Sequence, residues 1–341
     1  MTIRNASRSS LLLALLVGLV AGSASADADP DAVEHAKAAF VERMVSRHGF
    51  AADEVESALA GVEINEKILE TIARPAERVV PWYEYREIFL TPERIAAGAE
   101  FWQAHAAEIA RASESYGVAP EILVAIVGVE TYFGRRMGSY RVLDALATLA
   151  FAYPPRADFF ASELESFFLL ARDEGAEFFD AVGSYAGAMG AGQFIPSSFR
   201  AYAVDADGDG RRDLWGDWDD ILASVANYFK AHGWRESGPV ADRVTLTDAW
   251  SGHSPANGLE LDYTVGALRR LGYALPAERA EDMPATILAL EGGAEALEYW
   301  AGYHNFRVIT RYNRSAKYAL AAHELSRAIL DAHRTASAGS G

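Results

Sequence analysis

Residues Ile122-Leu123-Val124-Ala125-Ile126-Val127-Gly128-Val129 follow one another without a polar side chain and end on Glu130-Thr131. Pro120 suits the first turn of a helix and Glu121 its positive end, so the spacing predicts a helix over 120–133. A helix that is apolar all round has no face to give to water and belongs inside a core. An acid at the end of such a run is desolvated on one side, and desolvation raises a carboxyl pKa. A general acid needs that property if it is to hold its proton near neutral pH. The plainer alternative is an acid at the polar edge of a core helix, paired with Arg135 or Arg136.

Helical periodicity also runs through 31–111, where Ala39, Phe40, Met44 and Val45, and later Phe101, Ala104 and Ile109, recur at helix spacing. Breaks fall at Gly49-Phe50 and Arg74-Pro75. A second unit opens at Tyr116-Gly117 and continues as helices over 142–152, 157–171 and 221–232, interrupted by a glycine-rich stretch. After Gly233 the texture changes to β-branched and apolar clusters over 240–250 and 284–290, with turn signals at Ser254-Pro255 and Asn257-Gly258. This predicts a small β lobe over 236–296. Helix is expected again from Tyr299 to Leu330, so 297–334 is assigned with 27–115 to one helical lobe, and 116–235 forms the lobe between them. The small polar tail 335–341 is expected to be disordered.

The chain opens with Arg4 and Arg8, an apolar run from Leu11 to Val20, and Ala24-Ser25-Ala26. This is the pattern of a secretory signal peptide over 1–26, too short in its apolar part for a membrane span. No cysteine occurs, so there is neither a disulfide framework nor a thiol for a lipid anchor. The expectation is a soluble exported protein, periplasmic in a Gram-negative bacterium, with no membrane anchor and a core held by packing alone. The formal net charge of −17 excludes a nucleic-acid partner of the usual kind, because no basic stripe offsets it. A largely uncharged glycan remains acceptable, and the 15 tyrosines and 7 tryptophans supply the aromatic faces that sugars favour.

Gly183, Gly187, Gly190 and Gly192 crowd one short stretch that ends on the amide of Gln193. Glycines let backbone approach a ligand closely, though a tight structural turn explains them equally well. Further on, Asp205-Ala206-Asp207-Gly208-Asp209-Gly210-Arg211 places carboxylates at positions 1, 3 and 5 of an EF-hand-like loop, with glycine at 6. Oxygen ligands at this spacing suit Ca²⁺, but position 12 is Gly216, where a standard loop has glutamate. The alternative is a solvated acidic turn.

Several blocks together resemble the membrane-bound lytic transglycosylase B family of peptidoglycan-cleaving enzymes. They are Val127-Gly128-Val129-Glu130-Thr131 with Gly134-Arg135, Leu143-Asp144-Ala145-Leu146-Ala147-Thr148-Leu149-Ala150-Phe151, Ser184-Tyr185-Ala186-Gly187-Ala188-Met189-Gly190 running into Gly192-Gln193-Phe194-Ile195-Pro196, Val225-Ala226-Asn227-Tyr228-Phe229, and Tyr312-Asn313-Arg314-Ser315 with Tyr318. They span most of the chain in the family's order. The resemblance implies a mainly α (α+β) protein: a lysozyme-like core with an added helical lobe and a small β lobe. It implies that Glu130 is the single catalytic acid and then base, cleaving between N-acetylmuramic acid and N-acetylglucosamine to leave a 1,6-anhydro end. Tyr85, Ser184, Met189, Gln193, Tyr228, Tyr312, Asn313 and Tyr318 are carried over as substrate-binding residues. Asp144, the obvious second carboxylate, reads better as a helix N-cap.

The family also contains a lengthened EF-hand-like loop. By that likeness Asp205, Asp207, Asp209 and Arg211 bind a structural Ca²⁺, with Asp220 chosen over Asp219 to close the site. No cofactor is expected for catalysis. Peptidoglycan strands are the expected partner, and membership of a cell-wall enzyme complex stays open. The rivals are a hydrolytic muramidase and a non-catalytic peptidoglycan-binding protein.

Overall fold

The structure, a computed structural model, describes residues 29–73, 80–293 and 296–339. The expected signal peptide over 1–26 lies outside these residues. Helix α1 (Pro30–His48) starts where the Asp29 carboxylate accepts the Asp31 amide, with Pro30 in the first turn, and stops at left-handed Gly49. With α2 (Ala52–Leu59) and α3 (Glu66–Ala73) it forms a layer over α8 (Val142–Ala152), where Phe40 meets Phe151 and Phe168 ring to ring. Phe168 comes from α9 (Ala157–Glu174), which packs along α8.

The apolar run forms α7 (Pro120–Thr131), and every residue from Ile122 to Thr131 is buried. Around it lie α5 (Pro92–Ala104), α6 (Ala106–Tyr116), α11 (Trp218–Ala231) and the long C-terminal α14 (Ala316–Gly339). Gly128 permits the close packing: a Cβ there would stand 2.7 Å from the Phe133 ring, which folds back over the helix. Helix α4 (Trp82–Phe89) lies against α14, and α10 (Pro196–Tyr202) and α13 (His304–Tyr312) complete this part. One hydrophobic core runs without a break from Val33 to Leu330, so the outer helices and the central lobe share a single interior. No single helix among the described residues is long and apolar enough to cross a membrane.

Two short strands, β1 (Tyr140–Arg141) and β2 (Val182–Gly183), pair beside the glycine-rich stretch. The β lobe is a five-stranded antiparallel sheet in the order β4-β6-β7-β3-β5, with β3 (Ala241–Leu246), β4 (Tyr263–Thr264), β5 (Tyr273–Ala274), β6 (Pro284–Glu291) and β7 (Leu297–Gly302). A short helix, α12 (Val265–Arg270), and Leu268, Tyr273, Ile287 and Ala301 give this sheet its own small core.

Three expectations are corrected. Residues 297–302 are not helical: they form β7, the central strand, which bonds to β6 and β3 on its two sides, so the lobe extends past 296. Residues 335–339 are not disordered but continue α14, with the Thr335 and Ser337 hydroxyls donating to the Asp331 and His333 carbonyls one turn back. Asp144 is not an N-cap. It lies in the first turn of α8, whose cap residue is Arg141, and pairs with that guanidinium at 3.1 Å.

Candidate active site

Glu130 sits in the last turn of α7 and is 4% exposed. The chain then turns sharply, with Tyr132, Phe133 and Gly134 all left-handed at φ of 53°, 59° and 77°. For the two aromatic residues this conformation costs about 1–2 kcal/mol each, so packing and hydrogen bonds have to hold it. Thr131 provides the bonds. Its hydroxyl lies 2.9 Å from the Ala191 carbonyl and 3.2 Å from that of Val127, and accepts the Gly134 amide at 3.0 Å. The end of the acid helix is thereby tied to the glycine-rich stretch. Thr131 entered the sequence reading only as part of the block around Glu130; its role rests on full burial and on the bond to Ala191, which the fold alone supplies.

The Tyr318 hydroxyl donates to Glu130 Oε1 at 2.5 Å. Tyr318 is buried at the start of α14, Tyr85 comes from α4 and Tyr312 from the end of α13, so three separate elements converge on one carboxyl. Burial raises the Glu130 pKa to about 7, and the Tyr318 hydrogen bond opposes part of that rise. Burial together with the Glu130 charge pushes the phenols of Tyr85, Tyr312 and Tyr318 up as well, which keeps them neutral donors. Glu130 has no ion pair among the described residues. Arg135 and Arg136 instead stack on Tyr132, with their guanidinium carbons 5.4 and 5.1 Å from the ring centre. An acid merely paired with a neighbouring arginine is therefore not what the chain forms.

The glycine-rich stretch is a compact turn beside Thr131. Ser184 Oγ accepts the Ala186 and Ala188 amides, Met189 is fully buried and bridges to Gly183 and Phe194, and Gln193 adopts φ 53°. Gln193 Nε2 donates to the Met137 and Gly190 carbonyls. Gly190 must be glycine, because at φ 67° a Cβ would stand 2.3 Å from the Leu214 carbonyl oxygen. The Tyr312 hydroxyl donates to Gly192 O at 2.6 Å, which brings this turn to the tyrosines around Glu130. Tyr228 donates to Arg311 O at 2.7 Å and joins Tyr312, Phe194 and Tyr202 in an aromatic cluster. Asn313 ends α13 and is partly exposed.

Asp205, Asp207 and Asp209 bring one carboxylate oxygen each to within 4.8 Å of one another. Oxygens that share a Ca²⁺ at about 2.3–2.6 Å lie no farther apart than about 5 Å, so the trio fits that ion. The Arg211 amide is bonded to Asp209. Asp220 is not part of the cluster: it is buried beneath the loop, and its two oxygens accept the Ala206 and Asp213 amides at 2.7 and 2.8 Å. Asp219 faces away and pairs with Arg111. The helix that follows starts at Trp218, capped by Asp217, three residues before the expected start. The Ala191 amide donates to Leu214 O at 2.7 Å, so the acidic loop, the glycine turn and Thr131 form one hydrogen-bonded series ending beside Glu130.

A helical enzyme framework whose central apolar helix ends in one buried acid defines the lysozyme-like class. Residues 32–327 match the transglycosylase SLT domain family, and the chain belongs to that family. It is 42% identical over 301 residues to membrane-bound lytic murein transglycosylase B of Escherichia coli K12, covering 85% of this chain and 81% of that protein. The catenated lytic transglycosylase SltB1 of Pseudomonas aeruginosa superposes with a TM-score of 0.83 at 46% identity, over 89% of this chain and 98% of that one. E. coli lytic transglycosylase Slt35 in complex with calcium gives 0.79 at 41% identity, over 87% and 93%. P. aeruginosa SltB3 in complex with NAG-NAM-pentapeptide gives 0.76 at 33% identity, over 87% and 79%. The resemblance read from the sequence blocks is borne out, and with it the mainly α, lysozyme-like fold and the activity of a lytic transglycosylase.

Proposed function

We propose that the protein cleaves peptidoglycan glycan strands between N-acetylmuramic acid and N-acetylglucosamine, with Glu130 as the only acid and base. The observation that carries this reading is one carboxyl, buried to 4% exposure and raised to about 7, held by a tyrosine hydroxyl. At neutral pH such a group carries a proton in a large fraction of molecules. Glu130 gives that proton to the glycosidic oxygen as the bond to the muramoyl anomeric carbon breaks. The muramoyl 6-hydroxyl then attacks the same carbon and returns its proton to Glu130. A 1,6-anhydro ring forms and no water is consumed.

This differs from the two-carboxylate scheme of most glycosidases. Glu130 is the carboxylate whose charge Tyr85, Tyr312 and Tyr318 sense, while Asp144 is occupied by Arg141. The muramoyl N-acetyl oxygen takes the place of the missing carboxylate. Ser184, Met189, Gln193, Tyr228, Tyr312, Asn313, Tyr318 and Tyr85 form the walls and hydrogen-bonding rim for the sugars. Asp205, Asp207 and Asp209, with the main-chain carbonyl of Arg211, hold a structural Ca²⁺, and Asp220 bolts the loop from below. The protein acts in the periplasm, on strands that carry peptide arms like the ligand of SltB3.

Digestion in heavy-oxygen water tests the reaction type. Products without heavy oxygen at their muramoyl ends are expected, whereas a hydrolase would incorporate it at every cut.

A further inference from the structure

None of the residues assigned to the site lies in the β lobe, yet that lobe grips the helix that carries Tyr85. Helix α4 has only eight residues, too few to hold a direction of its own, so tertiary contacts have to set it. Its cap residue, Pro81, makes no side-chain hydrogen bond. The Trp82 amide goes instead to Oε2 of Glu291, the last residue of β6, at 3.4 Å. A carboxylate at that end also suits the helix dipole. The main chain just before the helix is held as well: Lys317 Nζ donates to Val80 O at 2.7 Å and pairs with Glu291 at 3.8 Å.

The firmer grip comes from Glu298 in β7, which is 7% exposed. From α4 it accepts the indole Nε1 of the fully buried Trp82 at 3.3 Å and Arg86 Nη1 at 3.2 Å. Arg243 of β3 pairs with it at 3.1 Å, and Trp300 Nε1 donates to it at 3.4 Å. A carboxylate this deep is costly unless it is paired and hydrogen-bonded, so α4 and the β6–β7 hairpin cannot slide apart without leaving it short of partners. Trp82 and Arg86 are one helical turn apart, with Tyr85 between them in sequence. The Tyr85 ring packs on Trp82 at 6.4 Å and on Phe89 at 5.4 Å. Fixing Trp82 and Arg86 thereby fixes the rotation of α4 about its axis, and with it the place of Tyr85 beside Glu130, whose charge it feels.

We propose that Glu298, with Glu291, is a positioning residue of the cleavage reaction: the β6–β7 hairpin sets α4 so that Tyr85 stands against Glu130. The inference rests on the peptidoglycan reading above. It gives the β lobe a task in catalysis although that lobe supplies no residue to the site.

The test is a double-mutant cycle of Glu298→Gln with Tyr85→Ala, read by turnover of purified glycan strands. Glu298→Gln should lower kcat about 10- to 100-fold and change KM less than about threefold. Added to Tyr85→Ala, it should cost no more than about a further twofold, because the group it positions is already gone. Fully additive losses, or wild-type turnover by either single variant, overturn the inference. Arg86→Met, which leaves Glu298 paired with Arg243, carries the same cycle should Glu298→Gln fail to fold, with the same pattern expected. A second readout needs no turnover: titration of the Glu130 carboxyl by carbon-13 NMR in Glu298→Gln or Arg86→Met. With α4 loosened, water reaches the acid and its pKa falls from about 7 toward the ordinary 4.5. An unmoved value overturns the inference. If wild type cleaves no strand, the peptidoglycan reading falls, and the titration still decides whether Glu298 acts on Glu130.

Discussion

Replacing Tyr318 with Phe removes one hydroxyl and leaves the packed ring in place. In the native protein that hydroxyl donates to Glu130 Oε1 at 2.5 Å, and Tyr318 is 2% exposed, so no water readily takes over the bond. The bond favours the charged carboxylate and holds the Glu130 pKa, about 7, below where burial alone would set it. A hydrogen bond to a charged group contributes about 1.5–3 kcal/mol, and each pKa unit corresponds to about 1.4 kcal/mol, so its loss raises the pKa by about one to two units. Glu130 acts first as an acid, so its ionisation sets the alkaline limb of the pH–rate profile. Tyr318→Phe should carry that limb upward by about one to two pH units while the maximal rate falls. The assay is release of soluble muropeptides from purified sacculi between pH 4 and pH 10. An unmoved alkaline limb, or one moved downward, would refute the assignment of Tyr318 as the donor that tunes Glu130.

Glu130→Gln should trade function for stability. With a folded-state pKa of about 7 against an ordinary 4.5, the folded protein binds more protons than the unfolded chain between these values, so stability declines as pH rises through that window. The full penalty, about 3 kcal/mol, is present above pH 7 and absent below pH 4. Denaturant melts should therefore show the Gln variant more stable than wild type at pH 8 and equal to it at pH 4; equal stability at both would contradict a raised pKa. Calcium at a hundred times its dissociation constant adds about 2.7 kcal/mol, so EDTA should lower the Tm by about 5 °C or more, and Asp205→Asn with Asp207→Asn should abolish that response. A chelator-insensitive Tm would remove calcium from the loop.

How much of this could be read in advance depended on whether the signal was local. Helix α7 follows from its own residues, since a proline at the first turn and an unbroken apolar run are local facts, and α8 follows from the apolar residues that recur through Val142–Ala152. Strand β7 was misread although its neighbour β6 ends only six residues before it at Glu291; what the residues from Leu297 to Trp300 do not show is the pairing with β3, more than 50 residues earlier in the sequence. Gly302 then passes through Tyr303 straight into α13, with no turn to mark the change. The same distinction holds at the site. Glu130 was visible as the end of an apolar run, but Tyr85, Tyr312 and Tyr318 come from three distant elements and were found only through family likeness. The tie from Thr131 to the glycine turn was not legible, because it depends on the left-handed turn after the acid, and nothing in the residue types of Tyr132 and Phe133 announces it. Asp220 had the right position but acts on amides, since burial beneath the loop points its oxygens at the backbone.

The most direct test of the account is mass analysis of the muropeptides released from sacculi by wild type and by Glu130→Gln, side by side. The account predicts that wild type yields muramoyl ends lighter by one water than their hydrolysed counterparts, and that the Gln variant, folded and still able to bind strands, yields none. Reducing ends from wild type, or undiminished release by the variant, would contradict the single-acid mechanism.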